Sequence, residues 1–164
     1  MTIRTEWRPG LVRIAAASAL AIGSGWVLLA QQAPGRPPAT VMHADDIPWT
    51  KGDPTRFTGA AETQPMPLPP GDVRVSRVRH DPGVHTSWHV HRGGQVIYVE
   101  SGRGLVQKWG GEIQEMRAGD IVYTAPGEKH WHGAAPGSSL TIVATSIGET
   151  EWLERVQPPN GKLP

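Results

Sequence analysis

Gly83–Gly102 reads GVHTSWHVHRGGQVIYVESG, and the placing of its histidines decides how the rest of the chain is read. In an extended strand, side chains alternate between faces. His89 and His91 therefore point one way and Val90 the other. Gly93 and Gly94 allow a turn, after which Gln95 opens the apolar run Val96–Val99 and can face the same point as the two imidazoles. Counting on by twos turns Ile97 and Val99 inward, and counting back from His89 turns Ser87 and His85 inward. His85 is thus either a candidate catalytic residue of the same pocket or a histidine at the strand's exposed mouth, while Trp88 belongs to the opposite face.

A second stretch, Gly119–His132, GDIVYTAPGEKHWH, repeats the device. Pro126 and Gly127 end the strand IVYT, and His130 and His132 then share a face, with Trp131 turned away. The candidate ligand set on these grounds is His89, His91, Gln95 and His130. Around the two stretches the chain breaks into short β-prone segments from Asp72 to Ser146, each bounded by turn residues such as DPG, RGG, SGRG, AGD or PGE. Strands of this length and spacing predict an all-β barrel or two-sheet sandwich. Val41–Pro70 shows no sustained periodicity, and Trp49 and Phe57 there are expected to pack on the outside. His43, near the proline-rich stretch, and His80, in the turn HDPG, read as solvated. After Gly148, ETEWLERV predicts a short C-terminal helix capped by Thr150, with Trp152 and Val156 on its buried face.

These residues resemble the cupin family. Gly83, five residues, His89, one, His91, three, Gln95, six, Gly102 is similar to the first cupin motif, and Gly119–His130 with Pro126 and Gly127 is similar to the second. The resemblance covers about residues 57–147 and implies a single jelly-roll, or double-stranded β-helix, barrel. Two departures stand out: Gln95 where the family commonly has Glu, and Ala134 where it often has Asn. With WHVH and PGEKHWHGAAP they make the chain similar to small bacterial manganese cupins that act as R-selective hydroxynitrile lyases. That likeness implies ligation by His89, His91, Gln95 and His130, a catalytic place beside the ion for His132, and pocket positions at Ser76, Val78 and Ser146. It also implies a small-molecule substrate and a homo-oligomer, a dimer or tetramer.

The donor types bear on the chemistry. Three imidazoles and an amide leave a divalent ion its full charge, so the site should attract anions. Such donors suit Mn, Fe, Zn, Ni or Cu, and manganese is the ion the resemblance implies. His132, with an ordinary histidine pKa, would be placed for proton transfer. Three functions compete: a cyanohydrin lyase, a metal-dependent dioxygenase, and a periplasmic binding module without catalysis.

The 164 residues allow one ordinary domain with an appendage. A net charge of +1 with scattered Lys and Arg offers no basic stripe, so nucleic acid is not expected as a partner. The absence of cysteine excludes disulfides, thiolate nucleophiles and thiolate metal sites. Residues 1–30 place Arg4, Arg8 and Arg13 before the apolar run Ile14–Ala30. They are expected to be an export signal to the periplasm, or an uncleaved inner-membrane anchor, which would be the chain's contact with a membrane. Residues 31–44 then form a proline-rich linker with Pro34, Pro37 and Pro38, residues 45–156 the barrel domain, and 157–164 a flexible tail.

Overall fold

Strand β5, Gln95–Lys108, is the spine on which two curled antiparallel sheets meet in this computed structural model, which describes residues 40–157. The first half of β5 pairs with β7 (Ile121–Thr124) and β9 (Leu140–Ile147); the second half pairs with β6 (Gln114–Arg117) and β8 (His130–Ala134). The sequence reads SGRG, residues 101–104, as a turn that bounds β-prone segments, yet the strand runs through it because Gly102 carries the chain round the corner. Its φ is 83°, and a Cβ there would lie 1.9 Å from the Ser139 carbonyl oxygen, so only glycine fits. The ladder to β9 shifts register between Val99 and Ser101, at the same corner.

From β9 the first sheet continues through β3 (Val73–His80) and β2 (Ala61–Pro65) to β1 (Thr50–Lys51). The second continues from β8 through β4 (His89–His91) to β10 (Thr150–Trp152). Between the sheets Ile97, Val99, Leu140 and Ile142 are essentially inaccessible, and Val78, Phe57 and Met116 close the core round them. This is the all-β barrel expected from turn spacing. Among the described residues no helix is long and apolar enough to cross a membrane. The export segment, most of the linker and most of the tail lie outside the described residues.

Four expectations are corrected. ETEWLERV forms no helix. Thr150, Glu151 and Trp152 pair with His91, Val90 and His89, and Leu153 N–H donates to Trp88 O at 2.8 Å. Strand β4 would otherwise leave an open edge beside buried histidines, and satisfying that edge outweighs the local helical preference. Phe57 lies in the core, 7% exposed, because a bridge to Thr86 draws its loop inward, whereas Trp49 stays outside beneath the Arg77 and Arg79 guanidinium groups. The stretch Val41–Pro70 contains β1, β2 and a 3-10 turn at Ala44–Asp46, strands too short and polar to register as periodic.

The fourth correction is His80, which is no solvated turn residue. It ends β3 at 1% exposure, with ring centroids 5.6 Å from Phe57 and 6.0 Å from His132, and neither ring nitrogen has a hydrogen-bond partner. Burial first, then the His85 charge, lowers its pKa to about 4. The folded state thus prefers neutral His80, while the unfolded chain takes up a proton near 6.5. Its stabilising contribution is full above about pH 6.5 and is lost as pH falls towards 4, by about 3 kcal/mol. Denaturant titrations at pH 7 and pH 4 are expected to show that much less acid sensitivity in His80→Leu than in the natural sequence; parallel pH dependence would overturn the assignment.

Outward-facing Trp88 and Trp131 do take the parity opposite to His89 and His130, but they are covered within the chain. They form a second apolar cluster with Leu105, Ala135 and Val156, against which Leu153 packs. The C-terminal segment provides that cover. Lys129 Nζ lies 3.6 Å from the Trp109 ring and pairs with Glu154, clamping the segment down.

Candidate metal centre

Strands β4 and β8 lie side by side, and their register sets His89 opposite His130. Their ring centroids are 4.2 Å apart, with His91 5.0 Å from His89 and 5.5 Å from His130. Each ring has its Nδ1 engaged from behind: His89 by Ser87 O at 2.9 Å, His130 by Glu128 O at 2.9 Å, and His91 by Thr150 Oγ1 at 2.9 Å. For His89 and His130 the partner is a carbonyl, which can only accept. Nδ1 must therefore carry the proton, leaving Nε2 with its lone pair directed into the cluster.

Gln95 is fixed by the same logic. Its Nε2 donates to Ser146 Oγ at 3.1 Å, which turns Oε1 towards His130 Nε2, also at 3.1 Å. Two lone pairs then face one another at hydrogen-bond distance with no proton of their own to share. Burial holds His130 below the usual histidine pKa, so a proton is disfavoured as the bridge, and a metal cation suits the gap. His91 Nε2 is buried without a partner, a further lone pair in need of a cation or donor. Burial, then the charges of His130 and Arg74, lowers the His91 pKa to about 4. His89 is held well below the ordinary value by burial and then by His130. All three rings are thus neutral near pH 7, the form that ligates.

His132 joins this group more closely than its expected place beside the ion requires. Among the described residues, His89, His130 and His132 bring one ring nitrogen each within 4.8 Å of one another. His132 is 3% exposed, its ring centroid is 5.3 Å from His89, and its Nδ1 has no partner. Burial, followed by the charges of His89, His130, His80 and His91, depresses its pKa well below 6.5. The expectation of an ordinary pKa is therefore corrected: at neutral pH His132 is an uncharged base.

His85 takes a different place from the one parity predicts. Its ring packs on Trp131 at 5.2 Å, on the side away from the cluster, and it does not line the cavity. Gly133 allows this by letting the backbone at Val84 and His85 approach β8; a Cβ on it would lie 2.3 Å from His85 Cα. Alternation slips at Ser87, whose Oγ reaches Thr55 O at 3.2 Å, and the chain bends at Trp88 before β4. Thr86 turns inward instead and receives the His132 backbone N–H on its Oγ1 at 3.2 Å. His43 is exposed, as expected.

The cluster lies at the side of an open cavity of about 1260 Å³ whose walls include Ser76, Val78 and Ser146, the positions expected from the sequence. Two wall residues were not expected. Trp152 stands 4.7 Å from the His89 ring, and Thr150 orients His91; both were hidden by the helical reading of their segment. A cationic residue, Arg74, also reaches this wall.

A family model described as a cupin domain matches residues 76–147. The (R)-mandelonitrile lyase of Granulicella tundricola is 38% identical over 112 residues, which span 65% of this chain and 86% of that protein. A cupin-like protein from Thermotoga maritima is 34% identical with a TM-score of 0.62, over 65% of this chain and 85% of that one. A polyketide cyclase from Streptomyces resistomycificus, 16% identical with a TM-score of 0.58, covers 76% of this chain and 89% of its own and shares the fold alone.

Proposed function

The chain belongs to the cupin family, and from that premise we propose that it is a metal-dependent lyase cleaving and forming cyanohydrins of the (R)-mandelonitrile type. What supports the reading is the cluster of neutral side chains, His89, His91, Gln95, His130 and His132, beside an open cavity in a chain with that relative. A bound divalent ion, manganese in this reading, supplies a Lewis acid that stabilises negative charge on oxygen or cyanide. His132, uncharged at neutral pH, takes the proton from the substrate hydroxyl. The O–H electron pair becomes the carbonyl π bond, the C–C pair leaves with cyanide, and the proton passes from His132 to the departing cyanide. Val78 and Trp152 offer apolar wall to an aromatic substituent, and Ser76 and Ser146 offer hydroxyls to the polar end.

Purified, manganese-loaded protein is expected to release cyanide from (R)-mandelonitrile well above its metal-free control. Equal rates would remove the lyase reading, and oxygen uptake with a diketone would put a dioxygenase in its place.

The partner is proposed to be a second copy of the chain. Register rows on the outer sheet face align Val75, Thr145, Val96 and Tyr123, and beside them Val143, Tyr98 and Ile121, with Tyr98 46% and Tyr123 66% exposed. Arg77 and Glu100 on this face neutralise each other at 2.9 Å, and β7 pairs only with β5 among the described residues. A neutral apolar face ending in an open strand suits two-fold self-association. Light scattering should give a multiple of the chain mass, reduced in Tyr123→Glu; a monomeric natural protein would overturn this. Residues 1–30, basic then apolar, are proposed to send the domain to the periplasm, which cell fractionation tests.

A further inference from the structure

Strand β3 presents a graded row to the cavity. Residues 74, 76, 78 and 80 share its inner face, so the wall runs from the Arg74 cation at the mouth through Ser76 and Val78 to buried His80. Arg74 stands opposite Ser146 on β9, and Ser146 stands opposite Gln95 on β5. The arginine is thus in the same cross-strand row as a candidate metal ligand, two strand spacings or roughly 10 Å away between backbones. A long side chain on the cavity wall covers much of that distance.

The head group is anchored but not neutralised. Nη2 donates to the Gly148 carbonyl, and among the described residues no carboxylate forms an ion pair with Arg74. The nearby pair Arg56–Asp53, at 3.2 Å, shows what an internally satisfied cation on this cavity wall looks like. A guanidinium held at one edge keeps its other N–H donors for a planar anion. The metal donors add no negative charge of their own; of the carboxylates on the cavity wall, Asp53 is paired with Arg56, and Glu149 and Glu151 form no ion pair with Arg74.

We propose that Arg74 is a specificity-determining residue that binds a carboxylate on the substrate, so that this site takes small molecules bearing a metal-binding oxygen at one end and a carboxylate a few bonds away. In the lyase reading the carbonyl product is then an oxo acid. The inference rests on the metal centre and not on the cyanide-releasing step. An arginine that merely ties down the turn after β9 would make the same bond to Gly148 without discriminating among ligands.

Calorimetry on the metal-loaded full chain separates the two, using the dicarboxylates malonate, succinate and glutarate against the monocarboxylates acetate, propionate and butyrate, which lack the second acid group. At least one dicarboxylate is expected to bind about tenfold more tightly than its monocarboxylate, in line with about 1.4 kcal/mol for one charge-assisted contact. Arg74→Met should abolish that difference with metal content unchanged, and Arg74→Lys should restore part of it. Equal affinities within every pair, or a preference that survives Arg74→Met, overturn the proposal. Because binding is read without turnover, failure of cyanide release leaves this test standing.

Discussion

His130→Ala is expected to lose its metal, with affinity reduced by more than about a hundredfold, since removal of an outer-shell partner alone is worth 10–100-fold. His130 stands at the junction of the site: it faces His89 across the ladder, and its Nε2 meets Gln95 Oε1 at 3.1 Å. Removing the ring takes away one donor and leaves the amide oxygen without its partner. Gln95→Ala should cost less, because water can take the place of a neutral amide oxygen. Elemental analysis after gel filtration measures both. A His130→Ala protein that keeps a full complement of metal would exclude His130 from the ligand set.

The backbone geometry behind this expectation was legible in the sequence because period-two alternation is local: His89 with His91, and His130 with His132, needed only a strand to share a face. Gln95 was legible for a similar reason, since the glycines before it set the turn. What escaped was decided by partners distant in sequence. The segment Thr150–Trp152 has helical composition, yet its backbone closes the edge of β4, and with it came Thr150 beneath His91 and Trp152 beside His89. His80 follows a strand and precedes DPG, so its surroundings looked solvated; Phe57 from a loop and His132 from β8 bury it. His85 failed because parity presumes an unbroken strand, and the close approach at Gly133 and the slip at Ser87 break it.

His132 carries the largest expected catalytic effect, and the structure makes its role a sharp question. One of its ring nitrogens is within 4.8 Å of those of His89 and His130, a ligand's position, while the resemblance assigns it a place beside the ion. The backbone argues for the second role. The Nδ1 atoms of His89 and His130 are held by carbonyls, an arrangement that fixes a ligand's tautomer, but His132 Nδ1 has no such partner, so nothing fixes the tautomer of its ring. Its low pKa keeps it unprotonated near pH 7, ready to accept the hydroxyl proton. His132→Ala should therefore retain its metal and lose cyanide release by roughly a hundred- to ten-thousand-fold, the range of a general acid-base group. His132→Gln, which can accept a hydrogen bond but not shuttle a proton, should be equally slow, and an added imidazole base should restore part of the rate to the alanine variant alone. Loss of metal from both variants, in parallel with activity, would make His132 a ligand and leave the proton to be carried by water in the cavity.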